Sequence, residues 1–490
     1  MNFFLMAQSN IKQKTISGVI WKFLEKFSIQ LFTFLQSIVM ARLLDPSDYG
    51  LIGMVVILNA FCAILVDAGM SNALIRKNNR RKEDYSTVFD YNFIMNIIMA
   101  LLMVLSAPLI ANFYHQPILK NVIYLFALQS ASGALLAVQG AKMIIDLQFK
   151  AMGIINVVTT VTSGIISIVL ALSGFGVYSL VIPNIVAMYV RFGLYYYYQH
   201  WFPGITFSMN SFRDLFSYGS KILISNLINC IFDNIYPIII GKKFSPKELG
   251  YYTRGQGYAS MPATTVTDVI ANVTFPILSK IQDDTEELVR VYRRMVRVSA
   301  FLVFPVMVGL FALARPAVLI MISSKWEPCI IYLQIMCFAF MWHPITTLNM
   351  NLLQVKGRSD VFLRITVIQK VLLVVSLVVT VPLGILWMCV ANVVITVLTL
   401  FINTYFTSRL LNLSFIRQMM DLCPSLLASI GMGIVVMMSI YYITSLGFQL
   451  VIGVFVGVAT YFFISKLFRF QELPYVIGTA KEVMVSKIRK

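Results

Sequence analysis

Charge is what this chain lacks most. Its 490 residues include only 21 Asp and Glu, and all charged residues together make up 12%, about half the share of an ordinary soluble domain. With 59% hydrophobic residues, a water-coated surface around one core is excluded. Histidine is nearly missing as well: His115, His200 and His343 form no metal-ligand spacing. The six cysteines, Cys62, Cys230, Cys329, Cys337, Cys389 and Cys423, are scattered with no CxxC pair, which argues against zinc, a disulfide framework or thiol redox and for free packing thiols. No GxxxxGK[ST] loop occurs, so ATP hydrolysis by this chain is not expected. No metal, cofactor or catalytic site is read from it.

What is present is long apolar sequence. Runs of about 20 residues, enough to cross a bilayer, recur throughout, as in "VLLVVSLVVTVPLGILWMCVANVVITVLTLF" at 371–401. The 26 methionines suit core packing better than a metal path. The opening "MNFFLMAQSNIKQKT" places its lysines after a short apolar stretch with no small-residue cleavage site, so no removable signal peptide is expected and the first span serves as its own insertion signal.

Spans and breakers predict an all-α membrane protein of about fourteen transmembrane helices, at 16–43, 46–75, 86–113, 117–140, 149–173, 176–199, 214–241, 246–275, 291–314, 328–354, 360–382, 384–409, 421–445 and 447–468. Short loops leave no room for an extramembrane catalytic domain. Most of the 39 basic residues fall in alternate loops, in clusters such as Arg76, Lys77, Arg80, Arg81 and Lys82. That bias predicts both termini on the cytoplasmic side. The net charge of +18 is then mainly topology, with anionic lipid a secondary partner and nucleic acid a poor one.

Two stretches share a grammar. "DPSDYG" at 45–50 returns two hundred residues later as "SPKELG" at 245–250. Asp45 suits an N-cap, Pro46 the first helical position and Asp48 the reciprocal N3 acid, and Ser245, Pro246 and Glu248 repeat the pattern. "LQFK" at 147–150 returns as "LQVK" at 353–356, and Gly176 with Asn184 as Gly384 with Asn392. Shared order and a nearly constant offset argue for two parallel six-helix bundles, 1–200 and 214–410. An interfacial linker at 201–213 joins them, and helices 13 and 14 with a tail follow at 411–490. Parallel repeats of this kind are a transporter architecture, with the substrate path expected between the halves.

Ionisable residues inside spans are the functional candidates, because each costs about 2.5–3.5 kcal/mol on insertion scales. Helix 1 carries Lys22, Glu25 and Lys26, helix 7 Lys221 and Asp233, helix 8 Arg254 and Asp268, and helix 11 Lys370. Lys26 and Lys370 lie about 15 Å into their helices at 1.5 Å per residue, near the midplane. Lys22, Lys221 and Arg254 are nearer a mouth, where snorkelling is the competing explanation. Glu25, Asp67, Asp233 and Asp268 are candidates for charge pairing or for carrying a proton or sodium ion. Arg191, above Tyr195 to Tyr198, is expected to be an interfacial anchor.

"MARLLDPSDYGLIGM" at 40–54, "DAGMSNALIRK" at 67–77 and "LGYYTRGQGYASMP" at 249–262 resemble the polysaccharide transporter family, the Wzx-type lipopolysaccharide or capsule flippases, within the superfamily that also holds multidrug and toxin extruders. The resemblance covers essentially the whole chain. It implies a bacterial inner-membrane protein that moves oligosaccharides linked to undecaprenyl pyrophosphate, in a membrane lipid setting, with polysaccharide polymerase and chain-length partners. It also implies a cationic cavity with basic residues on helices 1 and 8, here Lys22 or Lys26 and Arg254. Lysine stands on helix 1 where an arginine might be expected. A cation-coupled multidrug extruder is the rival reading, which should want a cavity dominated by carboxylates. A membrane glycan polymerase or ligase would be expected to have a substantial outer loop, and none is present.

Overall fold

The computed structural model describes residues 26–478 apart from Phe27, Ala134, Leu135, Ile205, Asn412 and Ile477; the expected site residues Lys22 and Glu25 lie outside the described residues. Regular structure among the described residues is helical, as hydrocarbon requires: a backbone with no water to bond must bond within itself. In chain order the helices are α1 (Ser28–Leu43), α2 (Pro46–Asp67), α3 (Met70–Arg76), α4 (Lys82–Tyr114), α5 (Ile118–Gly133), α6 (Ala137–Ile145), α7 (Phe149–Leu172), α8 (Ile182–Gln199), α9 (Met209–Asp233), α10 (Ile235–Lys243), α11 (Pro246–Lys280), α12 (Thr285–Ala312), α13 (Ala314–Met321), α14 (Cys329–Phe340), α15 (His343–Val355), α16 (Ser359–Thr380), α17 (Ile385–Leu411), α18 (Phe415–Tyr441) and α19 (Leu446–Leu467).

Eleven of the described helices are long and apolar enough to cross a membrane, twelve if α5 and α6 form one bent span. The chain is therefore a multi-pass membrane protein. α1 is shorter, and α11, 35 residues long, is more polar than those spans; a count of fourteen requires both to cross.

Several expected single helices are broken. α2 ends at Ala68 and Gly69, both left-handed at φ 43° and 71°, and the chain restarts as α3. Asp67 Oδ1 accepts the Ser71 N–H at 3.3 Å across the break. Expected helix 7 is α9 plus α10, split at Asn234, whose Nδ2 donates to the Cys230 carbonyl at 2.8 Å. Expected helix 10 is α14 plus α15, split just before His343. The unforeseen α13 occupies an expected loop.

The chain forms two compact units, Met1–Gly250 and Tyr251–Lys490. This packing boundary differs from the expected junction at 201–213: in the first unit α9, the expected start of the second bundle, packs on α2, α3 and α4. The approach is backbone to backbone, since a β-carbon on Gly219 would fall 2.4 Å from the Ala68 carbonyl oxygen. Around it lies a cluster of Met70, Leu74, Val88, Phe89 and Leu215, flanked by Trp201 of the linker. Trp201 meets the Tyr85 ring edge-on at 5.6 Å. Lys77 closes this end, its Nζ 3.0 Å from Asp84 and 2.8 Å from Asp214. The bond to Asp214 and then those to Asp84 hold the Lys77 ammonium above its ordinary value against burial; the tie is full below about pH 10 and is lost as pH rises through that raised value.

In the second unit α12 packs on α15 and α18, and α18 on α19. Tyr461 of α19 donates to the Phe301 carbonyl at 2.9 Å. Arg293 forks onto Asp421 with bonds of 2.7 and 2.8 Å, and Arg297 reaches Glu472 at 3.0 Å. Beside them the buried Tyr292 hydroxyl meets Asn349 at 2.5 Å and Gln418 at 3.3 Å. Helices 13 and 14 of the expected plan, α18 and α19, are thus fastened to α12 by an ion pair and a hydrogen bond as well as by packing. Asp421→Ala should strip the counter-ion from a half-buried arginine fork at a cost of about 3 kcal/mol. Thermal unfolding of purified protein should show a lower midpoint, whereas Arg290→Ala, at an exposed pair, should leave it nearly unmoved.

Candidate functional site

The two twin turns meet each other. Both are helix starts: at the second, Ser245 and Glu248 exchange bonds, Ser245 N–H to Glu248 Oε2 at 3.0 Å and Glu248 N–H to Ser245 Oγ at 3.2 Å. At the first, the Asp45 N–H donates to Asp48 Oδ2 at 3.1 Å. The first turns of α2 and α11 then pack directly together. A β-carbon on Gly50 would fall 1.6 Å from the Pro246 carbonyl oxygen, and one on Gly250 would fall 1.9 Å from the Pro46 carbonyl oxygen. Each glycine receives the other helix's proline turn, so the contact is reciprocal. Two helix N-termini brought together repel through their dipoles; Asp48 and Glu248 in the first turns offset that.

The wet faces come next. On α9, Lys221, Ser225, Asn229 and Asp233 are all exposed, four residues apart and therefore on one side of the helix. Exposed Ile224, Ile228 and Ile231 take the adjoining strip. A polar strip without protein cover inside a span is tolerated where it borders water, and the isoleucine strip suits lipid. On α1, Lys26 and Thr33 are exposed and Gln30 and Ser37 partly so. On α11 the half-buried Arg254 stacks over Tyr258 at 5.9 Å. Next to it Gly255 takes α14 at backbone distance, a β-carbon there falling 2.8 Å from the Leu333 nitrogen. Thr264 and Thr265 bond carbonyls of their own helix at 2.9 and 2.7 Å, which offsets their cost in the membrane.

The expected cations therefore divide: Lys26 and Lys221 stand on the first unit, Arg254 and Lys370 on the second. Lys370 is half-buried on α16, beside Gln369, which donates to Asn403 of α17 at 3.3 Å. Of the carboxylates, Asp67 is engaged at the α2–α3 break, Asp233 is exposed at the end of α9, and Asp268 is exposed on α11 next to buried Thr267. Arg191, expected as an interfacial anchor, is half-buried and donates to Thr159 of α7 at 3.1 Å.

Sequence reasoning missed three things. The final glycine of each twin turn was legible, but its close approach needs both helices in place. Lys77, counted as a topological charge, is an ion-pair hub. His343, set aside for want of metal spacing, lies inside a span against Thr267 at 3.3 Å.

The family described as "Polysaccharide biosynthesis protein" matches residues 39–331. The lipopolysaccharide biosynthesis protein WzxC of Escherichia coli is 24% identical over 372 residues, 76% of this chain and 76% of its own. The teichuronic acid biosynthesis protein TuaB of Bacillus subtilis is 22% identical over 354 residues, 72% of this chain and 73% of its own. Among solved structures, the lipid II flippase MurJ in an inward closed conformation has a similar fold, with a TM-score of 0.73 at 13% identity over 92% of this chain and 98% of its own.

Gly50→Val or Gly250→Val should pry the paired turns apart. In a variant with a cysteine at Leu249, buried beside Gly250, and Cys423 replaced by serine, labelling at 249 by a membrane-impermeant maleimide should rise when either valine is added. Unchanged labelling would mean that the close approach is not a constraint in the working protein.

Proposed function

Since the chain belongs to the polysaccharide biosynthesis protein family, we propose that it is a flippase for undecaprenyl-pyrophosphate-linked oligosaccharides in the bacterial inner membrane. The cargo passes from the inner to the outer leaflet for O-antigen, capsule or exopolysaccharide assembly, and the chain's role is transport, not catalysis. The observation that carries this reading is the exposed polar strip of α9, with Lys221 among its residues, inside a helix long and apolar enough to span. A sugar head group needs a hydrated, hydrogen-bonding path, and a pyrophosphate needs cations along it. Lys26, Lys221, Arg254 and Lys370 supply those cations, and lysine on helix 1 gives point charge there rather than a planar fork.

Both termini lie in the cytoplasm in this scheme, and the twin turns face outward. The paired turns then form an outer closure that parts for release, while the prenyl tail stays in lipid. An inside-negative potential favours outward movement of the anion by about 2.3 kcal/mol per charge per 100 mV. The relatives' names, lipopolysaccharide and teichuronic acid biosynthesis, favour a glycan over a cationic drug as cargo. A polymerase and a chain-length regulator are the expected recipients.

The test is translocation in liposomes of a fluorescent undecaprenyl-pyrophosphate oligosaccharide, read as sugar accessibility on the opposite face. Arg254→Ala and Lys370→Ala should each slow it by about tenfold or more, the loss of one charge-assisted bond of about 1.5–3 kcal/mol. Full activity in a correctly inserted triple variant that adds Lys26→Ala would sink the cationic path.

A further inference from the structure

Two apolar grooves flank α14 in the second unit. The first lies between α12, α14 and α18: Met307 and Met341, 1% and 2% exposed, form its floor, and exposed Ile434 one wall. Gly433 lets α18 approach α12 closely there, since a β-carbon on it would fall 2.6 Å from Val308 Cγ1. The second groove lies between α14 and α17, over Val390 and Val393. Phe311 of α12 and Phe338 of α14 border both grooves, their rings edge-on at 5.1 Å. The grooves are therefore two branches on either side of one aromatic ridge. Every residue of the first is apolar. The second has one polar residue, Gln334, whose Nε2 is turned to the Phe311 carbonyl at 3.3 Å.

Both branches open at one end of the helices. Phe311 stands next to last in α12, and Ile331, which lines the second groove, is the third residue of α14. Just beyond them is a charged pair. Arg315 follows Phe311 by four residues and Glu327 precedes Ile331 by four, about one helical turn in each case. Arg315 Nη2 and Glu327 Oε1 are 3.4 Å apart, with side chains 69% and 53% exposed. A pair so long and so exposed is weak, and a ligand carrying both charges displaces it at little cost.

Shape and charge together specify the occupant. Two branches call for two hydrocarbon chains, and a single prenyl chain would leave one of them empty. An arginine beside a glutamate matches a zwitterion, with phosphate on the guanidinium and an ammonium donating to the carboxylate. A pyrophosphate would meet the glutamate as a like charge, a glycerol head group brings no cation, and a choline has no N–H to donate. Phosphatidylethanolamine meets every requirement.

We propose that one diacyl phosphatidylethanolamine occupies this site, a chain on each side of the Phe311–Phe338 ridge and its head group between Arg315 and Glu327. The lipid touches α12, α14, α17 and α18 at once. Because lipid tails are as apolar as the side chains, helices here gain cohesion only from packing. An ordered lipid supplies it at the end of α12 that the Arg293–Asp421 pair does not reach. In the orientation proposed above, this is the outer leaflet. The lipid acts as a strut whatever the cargo.

The test is native mass spectrometry of the full-length protein, stripped of lipid in detergent and offered equal amounts of dioleoyl phosphatidylethanolamine and dioleoyl phosphatidylglycerol. The one-lipid adduct should favour phosphatidylethanolamine by about threefold, the selectivity of an exposed charge pair. Glu327→Gln, at an exposed side chain, should abolish that preference while total binding persists. Ile434→Trp and Val393→Trp, each filling one groove, should each cut adduct formation, and one-chain lysophosphatidylethanolamine should compete poorly. Phosphatidylethanolamine should also raise the thermal midpoint of the original protein more than that of either tryptophan variant.

Equal binding of the two lipids by the original protein, or a preference that survives Glu327→Gln, overturns the proposal. Undiminished adducts in both tryptophan variants overturn it as well. Displacement of the adduct by undecaprenyl phosphate would give the grooves to the cargo's tail, and dimers that form only without lipid would give them to a second copy of the chain; either result also overturns it.

Discussion

Hydrocarbon supplies no hydrogen bonds, and the rest of the architecture follows from that. Within a bilayer core about 30 Å thick, each backbone donor and acceptor must be met within its own helix or by a close neighbour. The regular elements of the described chain are accordingly helices, and many of their hydroxyls fold back on carbonyls three or four residues away, as at Thr264, Thr265, Thr267, Ser299 and Thr380. Against that background a polar side chain left uncovered needs explanation. The strip on α9 is such a case, exposed along one side of a helix long and apolar enough to span.

The same constraint explains why helices break where they do. A break exposes carbonyls and N–H groups, so it is tolerated only with local compensation. Asp67 meets the Ser71 N–H at the α2–α3 break, and Asn234 meets the Cys230 carbonyl between α9 and α10. These interruptions carry ionisable neighbours: Asp67, Asp233 and, at the α14–α15 break, His343. Breaks and charges coincide because each needs polar surroundings that the lipid-facing surface does not offer.

Glycine gives the helices their closest contacts. At Gly50 with Gly250, and at Gly69 with Gly219, backbones approach to distances that exclude a side chain. Such contacts offer little hydrophobic gain, since lipid tails are as apolar as leucine, and depend on dispersion and shape. A contact of that kind has no liquid-like intermediate: the surfaces fit or they part. That property suits an alternating closure better than a greasy interface that could slide.

Much of this could be read from the chain itself. Apolar run length identified a multi-pass helical membrane protein, because span length is set by bilayer thickness and not by tertiary contacts. The motifs around residues 40–54, 67–77 and 249–262 pointed to the family that the match over 39–331 establishes. Local capping rules explained Ser245 and Glu248. Periodicity could not say that the twin turns touch, because a glycine's close partner lies two hundred residues away in sequence. Nor could it separate Lys77, held by two carboxylates, from its basic neighbours, or place His343 against Thr267. Charge pairing and close approach depend on which helix lies alongside, and only the folded chain decides that.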